Sequence, residues 1–199
     1  MMLIEKTTVP NAALPVEDFK THLRLGTSFE QDDSQDDMLA GFLRAALAAI
    51  EARTGKVLIA RTFEWTLNRW SSRDQQGFPV APVIAVTRLF IVTRAGEAQE
   101  VEPGFFWLER DAQRPRIRAV GAQLPLIPQG GNALVEFEAG FGPIWADLPP
   151  DLKQAVLLLA AHFYEYRNET SLSEGCMPFG VSSLIERFRD FRMGPGAMR

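Results

Sequence analysis

The chain is poor in the residues that build most small-molecule chemistry. Among 199 residues there is one cysteine, Cys176, and there are two histidines, His22 and His162. A single thiol excludes an intramolecular disulfide and any zinc centre that draws two or more of its ligands from cysteine. Long apolar runs are also missing. The longest nearly apolar stretches, Ala45–Ile50 and Ala155–Phe163, fall far short of the ~20 residues that cross a bilayer. The opening residues Met1 to Pro10 lack the apolar stretch of ~7–15 residues that a secretory signal needs. No membrane contact is expected, and the thiol count fits a reducing compartment or a particle assembled in one. Positive excess is absent too. Lys plus Arg number 21 against 25 Asp plus Glu, a net charge of −4, whereas non-specific nucleic-acid binders carry the opposite balance.

What is present is enough apolar side chain, 46% of the chain, to bury a core. Arginine dominates the cations, with lysine only at positions 6, 20, 56 and 153. Arginine suits planar, bidentate contacts at interfaces, and GC-rich codons give the same bias. Charge is uneven along the chain. The net −4 falls entirely within residues 1–54, largely in the run Glu30 to Asp37, while residues 55–148 and 149–199 are each balanced.

Periodicity divides the chain into helical ends and a β-rich middle. Leu14-Pro15-Val16-Glu17-Asp18 reads as a helix start, with Pro and acids in the first turn. Val16, Phe19, Lys20 and Leu23 share one stripe, and Gly26 ends the helix. After the acidic run, Met38, Phe42, Ala45, Ala46, Ala49 and Ile50 recur at helical spacing up to Thr54, with Gly55 as the stop. From Lys56 to Gly142 the period becomes two. Phe63, Trp65 and Leu67 alternate with Thr62, Glu64 and Thr66, as in a half-buried strand. Similar short runs occur at 57–59, 83–93, 105–108, 117–120 and 133–137, and Arg94-Ala-Gly-Glu97 reads as a hairpin turn. Helix resumes at Pro149-Pro150-Asp151. Leu152, Ala155, Val156, Leu159, Phe163 and Tyr166 form one stripe, and Leu157, Leu158, Ala161 and Tyr164 cover much of the rest. Such a helix is buried on more than one side. Pro178–Arg192 reads as a last helix with Val181, Leu184, Ile185 and Phe188 inward. The expectation is an α+β fold. A helical bundle of about four helices carries an inserted antiparallel β-sheet of about five or six strands. The boundaries are 1–55 for the N-terminal helices, 56–142 for the β region, 143–192 for the C-terminal helices and 193–199 for a flexible tail.

No catalytic motif survives inspection. An EF-hand loop starting at Asp32 fails, because Asp37 stands where glycine belongs and Leu43 where glutamate belongs. The acids read instead as a solvated loop whose Ser34, Asp36 or Asp37 caps the long helix. His162 and Glu165 share a helical face, but a metalloprotease motif needs a second histidine. There is no Gly-x-Ser-x-Gly elbow and no phosphate-binding loop. Cys176 sits with no helix start beneath its sulfur to activate it. Two arginine clusters remain: Arg110, Arg114, Arg116 and Arg118, and Arg187, Arg189, Arg192 and Arg199 interleaved with Phe188 and Phe191. Arginine with aromatics stacks on bases and equally anchors protein interfaces. Glu186 and Asp190 favour a protein partner for the second cluster.

The order of segments carries a resemblance. Leu14-Pro-Val-Glu-Asp-Phe-Lys-Thr-His-Leu-Arg-Leu25, Asp36-Asp-Met-Leu39, Ile50-Glu-Ala-Arg-Thr-Gly-Lys-Val-Leu-Ile59, Thr62-Phe-Glu-Trp-Thr-Leu67, Phe137-Glu-Ala-Gly-Phe-Gly142, Leu148-Pro-Pro-Asp-Leu-Lys-Gln-Ala-Val-Leu-Leu-Leu159 and His162-Phe-Tyr-Glu-Tyr-Arg-Asn168 follow one another. Over residues 14–192 this resembles the head–tail connector (adaptor) family of long-tailed phages and phage-like gene transfer agents. The family's smallest members are mostly helical, so the long β region is a departure.

The resemblance implies a non-enzymatic virion protein with no cofactor and no metal, located at the head–tail junction of a particle assembled in the bacterial cytoplasm. It implies a heterologous ring of about twelve copies, docked on the portal protein and joined on the other side to a stopper or tail terminator. Double-stranded DNA passes through the channel without sequence-specific binding. On that reading Arg187, Phe188, Arg189, Phe191, Arg192 and Met193 form a candidate portal-binding arm, and Asp32, Asp33, Asp36 and Asp37 are candidate lumen-facing or partner-facing acids. The alternatives are a tail-completion or terminator protein, and a soluble α+β ligand-binding module or enzyme built on the sheet and Cys176.

Overall fold

The computed structural model describes residues 1–25, 33–167 and 177–189, with only the backbone described at Asp33 and Ser34. The chain forms two compact units. One comprises Met1–Ala13 and Val57–Asp147, the other Leu14–Lys56 and Leu148–Arg199.

The first unit holds eight strands in two antiparallel sheets. Strands β1 (Met2–Glu5), β2 (Arg61–Leu67), β4 (Val83–Val92), β5 (Ala98–Glu100) and β8 (Asn132–Ala139) form a five-stranded sheet in the order β1-β2-β8-β4-β5. Strands β3 (Gln75–Gly77), β6 (Phe106–Glu109) and β7 (Arg116–Ala119) form a second sheet in the order β3-β7-β6. The antiparallel sheet expected from the sequence is present, and the surplus strands come from short segments such as β3 and β5 that are too short to show a period. Residues 1–13, grouped by sequence with the N-terminal helices, pair with the β region instead, through Leu3 opposite Trp65 and Ile4 opposite Glu64. Val57–Ile59 is buried but forms no strand among the described residues. It is tied by Val57 N–H to Ala81 O and by Phe141 N–H to Leu58 O.

The core follows directly from the alternation in β2 and β8. Phe63 lies opposite Phe137 and Trp65 opposite Val135. The Phe63 and Phe137 rings stack at 5.5 Å, and Phe78 closes on Phe137 at 4.9 Å. Phe106 and Ile117 of the second sheet join the same cluster, so the two sheets share one core. Two turns need glycine. Gly96 has φ +88° in the β4–β5 hairpin, where Gly96 N–H bonds to Thr93 O. Gly140 has φ +141°, and a Cβ there would collide with the backbone of Ala60.

The second unit is helical: α1 (Val16–His22), α2 (Asp33–Thr54), α3 (Pro150–Glu165) and α4 (Phe179–Ile185), followed by a 3-10 turn at Glu186–Phe188. α2 packs on α3 and α3 on α4. The acidic run from Asp33 onward lies inside α2 rather than in a loop before it, and Glu30 to Asp32 lie outside the described residues. The helix begins at Asp33, so the acids of its first turns sit at the positive end of its dipole. The buried stripe of α2 is Leu39, Ala40, Leu43, Ala46, Leu47 and Ile50. That is about one residue around from the expected stripe, and it leaves Met38 and Ala45 outward. Turning the leucines inward removes more apolar area from water than turning the alanines in. Gly55, with φ +69°, ends α2 as expected, its N–H bonded to Glu51 O. In α3 the residues Leu152, Ala155, Val156, Leu159 and Ala160 are buried, while the later positions 161–164 are half-exposed.

Phe137→Ala should lower unfolding free energy by about 3–5 kcal/mol, the usual result for truncating a core aromatic. Chemical denaturation of the variant against the wild type measures this. A change under about 1 kcal/mol would show that Phe137 is not central to the core.

Candidate assembly surfaces

Three groups of charged residues are candidates for recognition, and each is placed by the elements that carry it. The C-terminal cluster begins within the fold. Phe188 is buried in the 3-10 turn after α4, beside buried Val181 and Ile185 of that helix. Arg187 reaches Asp151 in the first turn of α3 at 2.9 Å and covers the Phe188 ring at 4.6 Å. Arg189 pairs with Glu186 at 3.0 Å. Phe188 and Arg187 tie this turn to the helical unit, while the Arg189 pair lies within the turn itself. Phe191, Arg192 and Met193 lie outside the described residues, as does Cys176.

The acidic group is divided in the same way. Asp32 lies outside the described residues, and Asp33 starts α2. Asp37 is exposed. Asp36 is engaged: its Oδ1 lies 2.7 Å from Lys20 Nζ, which also donates to Glu17 Oε1 at 2.9 Å. Lys20 comes from α1, where its stem is buried beside Phe19. The Asp36 and Glu17 carboxylates hold its ammonium, pushing its pKa up to about 12. One acid of the run therefore ties α1 to α2 and is not free for a partner.

Two arginines of the second sheet, Arg116 and Arg118, are likewise engaged locally. Arg118 donates to Glu109 at 2.8 Å and lies 3.7 Å from Asp74. That contact lowers the Glu109 pKa and raises that of Arg118. Arg116 donates to Gln75 Oε1 at 2.9 Å. Cross-strand register explains the ladder, since Glu109 faces Arg116 and Trp107 faces Arg118 on β6 and β7. Arg116 and Arg118 thus staple the sheet, while Arg110 and Arg114 of the same cluster are exposed.

The His162 ring lies 4.6 Å from that of Tyr166, tilted by 48°. Among the described residues no group of three His, Cys, Asp or Glu side chains could hold a metal, and no helix is long and apolar enough to cross a membrane. Exposed large apolar side chains include Phe105, Trp107, Val120 and Leu126 around the second sheet, Met1, Met2 and Ile4 at β1, and Phe179 at the start of α4. Sequence reading missed β1, because four residues are too few to reveal a period. It also missed Lys20 and Asp151 as partners, because the pairs join segments distant in sequence.

The described residues thus form an α+β protein with ion-paired charges and scattered exposed apolar side chains. Solved structures match over 98% of this chain and 99% of theirs. One is in the neck of an empty gene transfer agent particle, reconstructed with C6 symmetry, at 50% identity and a TM-score of 0.89. Another is in the virion of the native gene transfer agent particle, at 50% identity and 0.87. A third is in the neck of the native particle, reconstructed with C12 symmetry, at 48% identity and 0.84. No protein-family model and no curated protein sequence matches the chain. The chain belongs to the neck-protein family of phage-like gene transfer agent particles. It is a structural protein of such a particle.

Lys20→Met keeps the buried stem and removes the charge that joins α1 to α2. Because the folded pKa is raised, the tie contributes fully below the unfolded value of 10.5 and is lost as pH rises through about 12. The variant should melt a few degrees lower than wild type between pH 7 and 9, and the gap should shrink as pH approaches 12. A gap that stays constant with pH would assign the loss to packing and not to the ion pair.

Proposed function

We propose that this chain is the head–tail adaptor of its particle. Twelve copies form a ring beneath the portal, extend the DNA channel, and present a platform to the tail-side stopper or terminator. The likeness at 48–50% identity over nearly the whole chain to a neck subunit carries this reading. Those necks were reconstructed with C12 and with C6 symmetry. A twelve-membered ring obeys both, whereas a six-membered ring obeys only the second.

The charge distribution supports a part with two unlike ends. The start of α2 is acidic, with Asp37 exposed, and Asp32, Asp33 and Asp37 would face the lumen or the tail-side partner. Negative charge along a channel repels DNA phosphates and lets the duplex slide. The chain end is basic and aromatic. Arg187 and Phe188 anchor it, and Phe191, Arg192 and Met193 are the segment that would engage the portal. Binding is by protein contact, with no cofactor, metal or catalysis.

Deleting residues 190–199 should leave the fold intact, because Phe188 and Arg187 remain, and should weaken portal binding at least tenfold. Sedimentation of the full-length and shortened chains with purified portal reads this directly. Full binding by the shortened chain would overturn the arm assignment.

A further inference from the structure

The five-stranded sheet ends on two strands with one partner each, β1 and β5. Four successive antiparallel pairings separate them, so both edges run in the same direction. Both leave backbone groups pointing outward. Lys6 N–H bonds to Thr62 O, which turns the even-numbered residues of β1 toward β2 and leaves the N–H and C=O of Leu3 and Glu5 outward. Val101 N–H bonds to Leu89 O, and Glu97 O accepts from Thr93. The odd-numbered residues of β5 therefore face β4, and Ala98 and Glu100 face outward.

Edges are normally blunted by charge, proline or a bulge. β1 has little such protection. It reads Met-Leu-Ile-Glu, its one charge is held by Arg61 at 2.9 Å, and Met1 and Met2 are 78% and 54% exposed. Beside β5 lies a cavity of about 620 Å³ whose lining includes Ile91, Val101, Phe105 and Leu126. Phe105 is 59% exposed and Leu126 81%. Register places Leu3 on the sheet face of Trp65, and Ile91 on the face of Ala133, which is the core face. Leu3 packs on its own core, so a strand like β1 laid along β5 would turn the exposed Met1 over this cavity. Charge is complementary as well. Exposed Arg69 shares a second cavity with Met1 at the β1 end, while Glu97 and Glu102 are exposed around β5.

Two unlike edges of one polarity cannot satisfy each other across a two-fold axis. They can do so by repeated rotation, which is the geometry of a ring. We propose that β1 of one copy adds in parallel to β5 of the next by β-strand addition, seating exposed Met1 in the cavity beside Phe105 and Leu126. This contact is one of those that close the ring, and the inference rests on the ring reading above.

The test uses the full chain carrying Ile4→Cys and Ala98→Cys, with Cys176→Ser, assembled on portal and treated with a short bis-maleimide. Both positions lie on the outer sheet face and are exposed, so melting should match wild type. Rings seen by electron microscopy should give a covalent ladder reaching twelve copies, and either single-cysteine variant should stay monomeric on a denaturing gel. Rings without a ladder would overturn the edge contact while leaving the ring intact. Dimers from Ile4→Cys alone would mean β1 pairs with β1, which also overturns it. Failure of the unsubstituted chain to form rings on portal would instead overturn the ring reading.

Discussion

The antiparallel pairing of β2 with β8 is the constraint on which the rest depends. It brings Phe63 against Phe137 and Trp65 against Val135, two segments about seventy residues apart in the chain. Each aromatic buried there contributes about 1.5–3 kcal/mol of transfer free energy, so the register is strongly fixed. A slip of one residue would turn Phe63, Trp65 and Leu67 to solvent and Thr62, Glu64 and Thr66 into the core. The same pairing closes the β region on itself. Leu58 near its start and Phe141 near its end are hydrogen-bonded. A long insertion whose ends meet can be carried by a helical unit without separating the helices that flank it, here α2 and α3.

In the helical unit the decisive choices are also about what to bury. α2 turns Leu39, Leu43 and Leu47 inward and places its acids at the positive end of the helix dipole. Lys20 then converts one of those acids into a link between helices. The C-terminal turn is handled similarly: Phe188 is buried and Arg187 bridges to Asp151. In both places a charge that reads as surface decoration fastens one element to another. Such ties brace the helical unit internally.

The fold class was legible because two different periods stood in clearly separated stretches. Phe63-Glu-Trp-Thr-Leu67 shows its burial pattern unaided, and Gly55 and Gly96 mark a helix end and a hairpin where they were expected. The exact stripe of α2 was not legible. With alanine on several faces, composition alone does not choose between Ala45 and Leu47 as inward positions. β1 was hidden because a strand of four residues has no period, and its partner lies some sixty residues on. The candidate site was half legible. Clusters of arginine and aspartate are visible in a sequence, but whether they are spent on Glu109, Lys20 or Asp151 depends on pairings that only the folded chain specifies. The scarcity of cysteine and histidine, by contrast, left no nucleophile or metal motif to read, and the neck and virion structures that match 98% of the chain identify a structural particle protein.

The central claim is that this subunit forms a ring under the portal. Cryo-electron microscopy of the full-length protein assembled with its portal, reconstructed without imposed symmetry, tests it most directly. The account predicts twelve copies in one closed ring on the tail-side face of the portal, with an open axial channel. A monomer bound at the periphery, or density for this chain at the distal end of the tail, would contradict it.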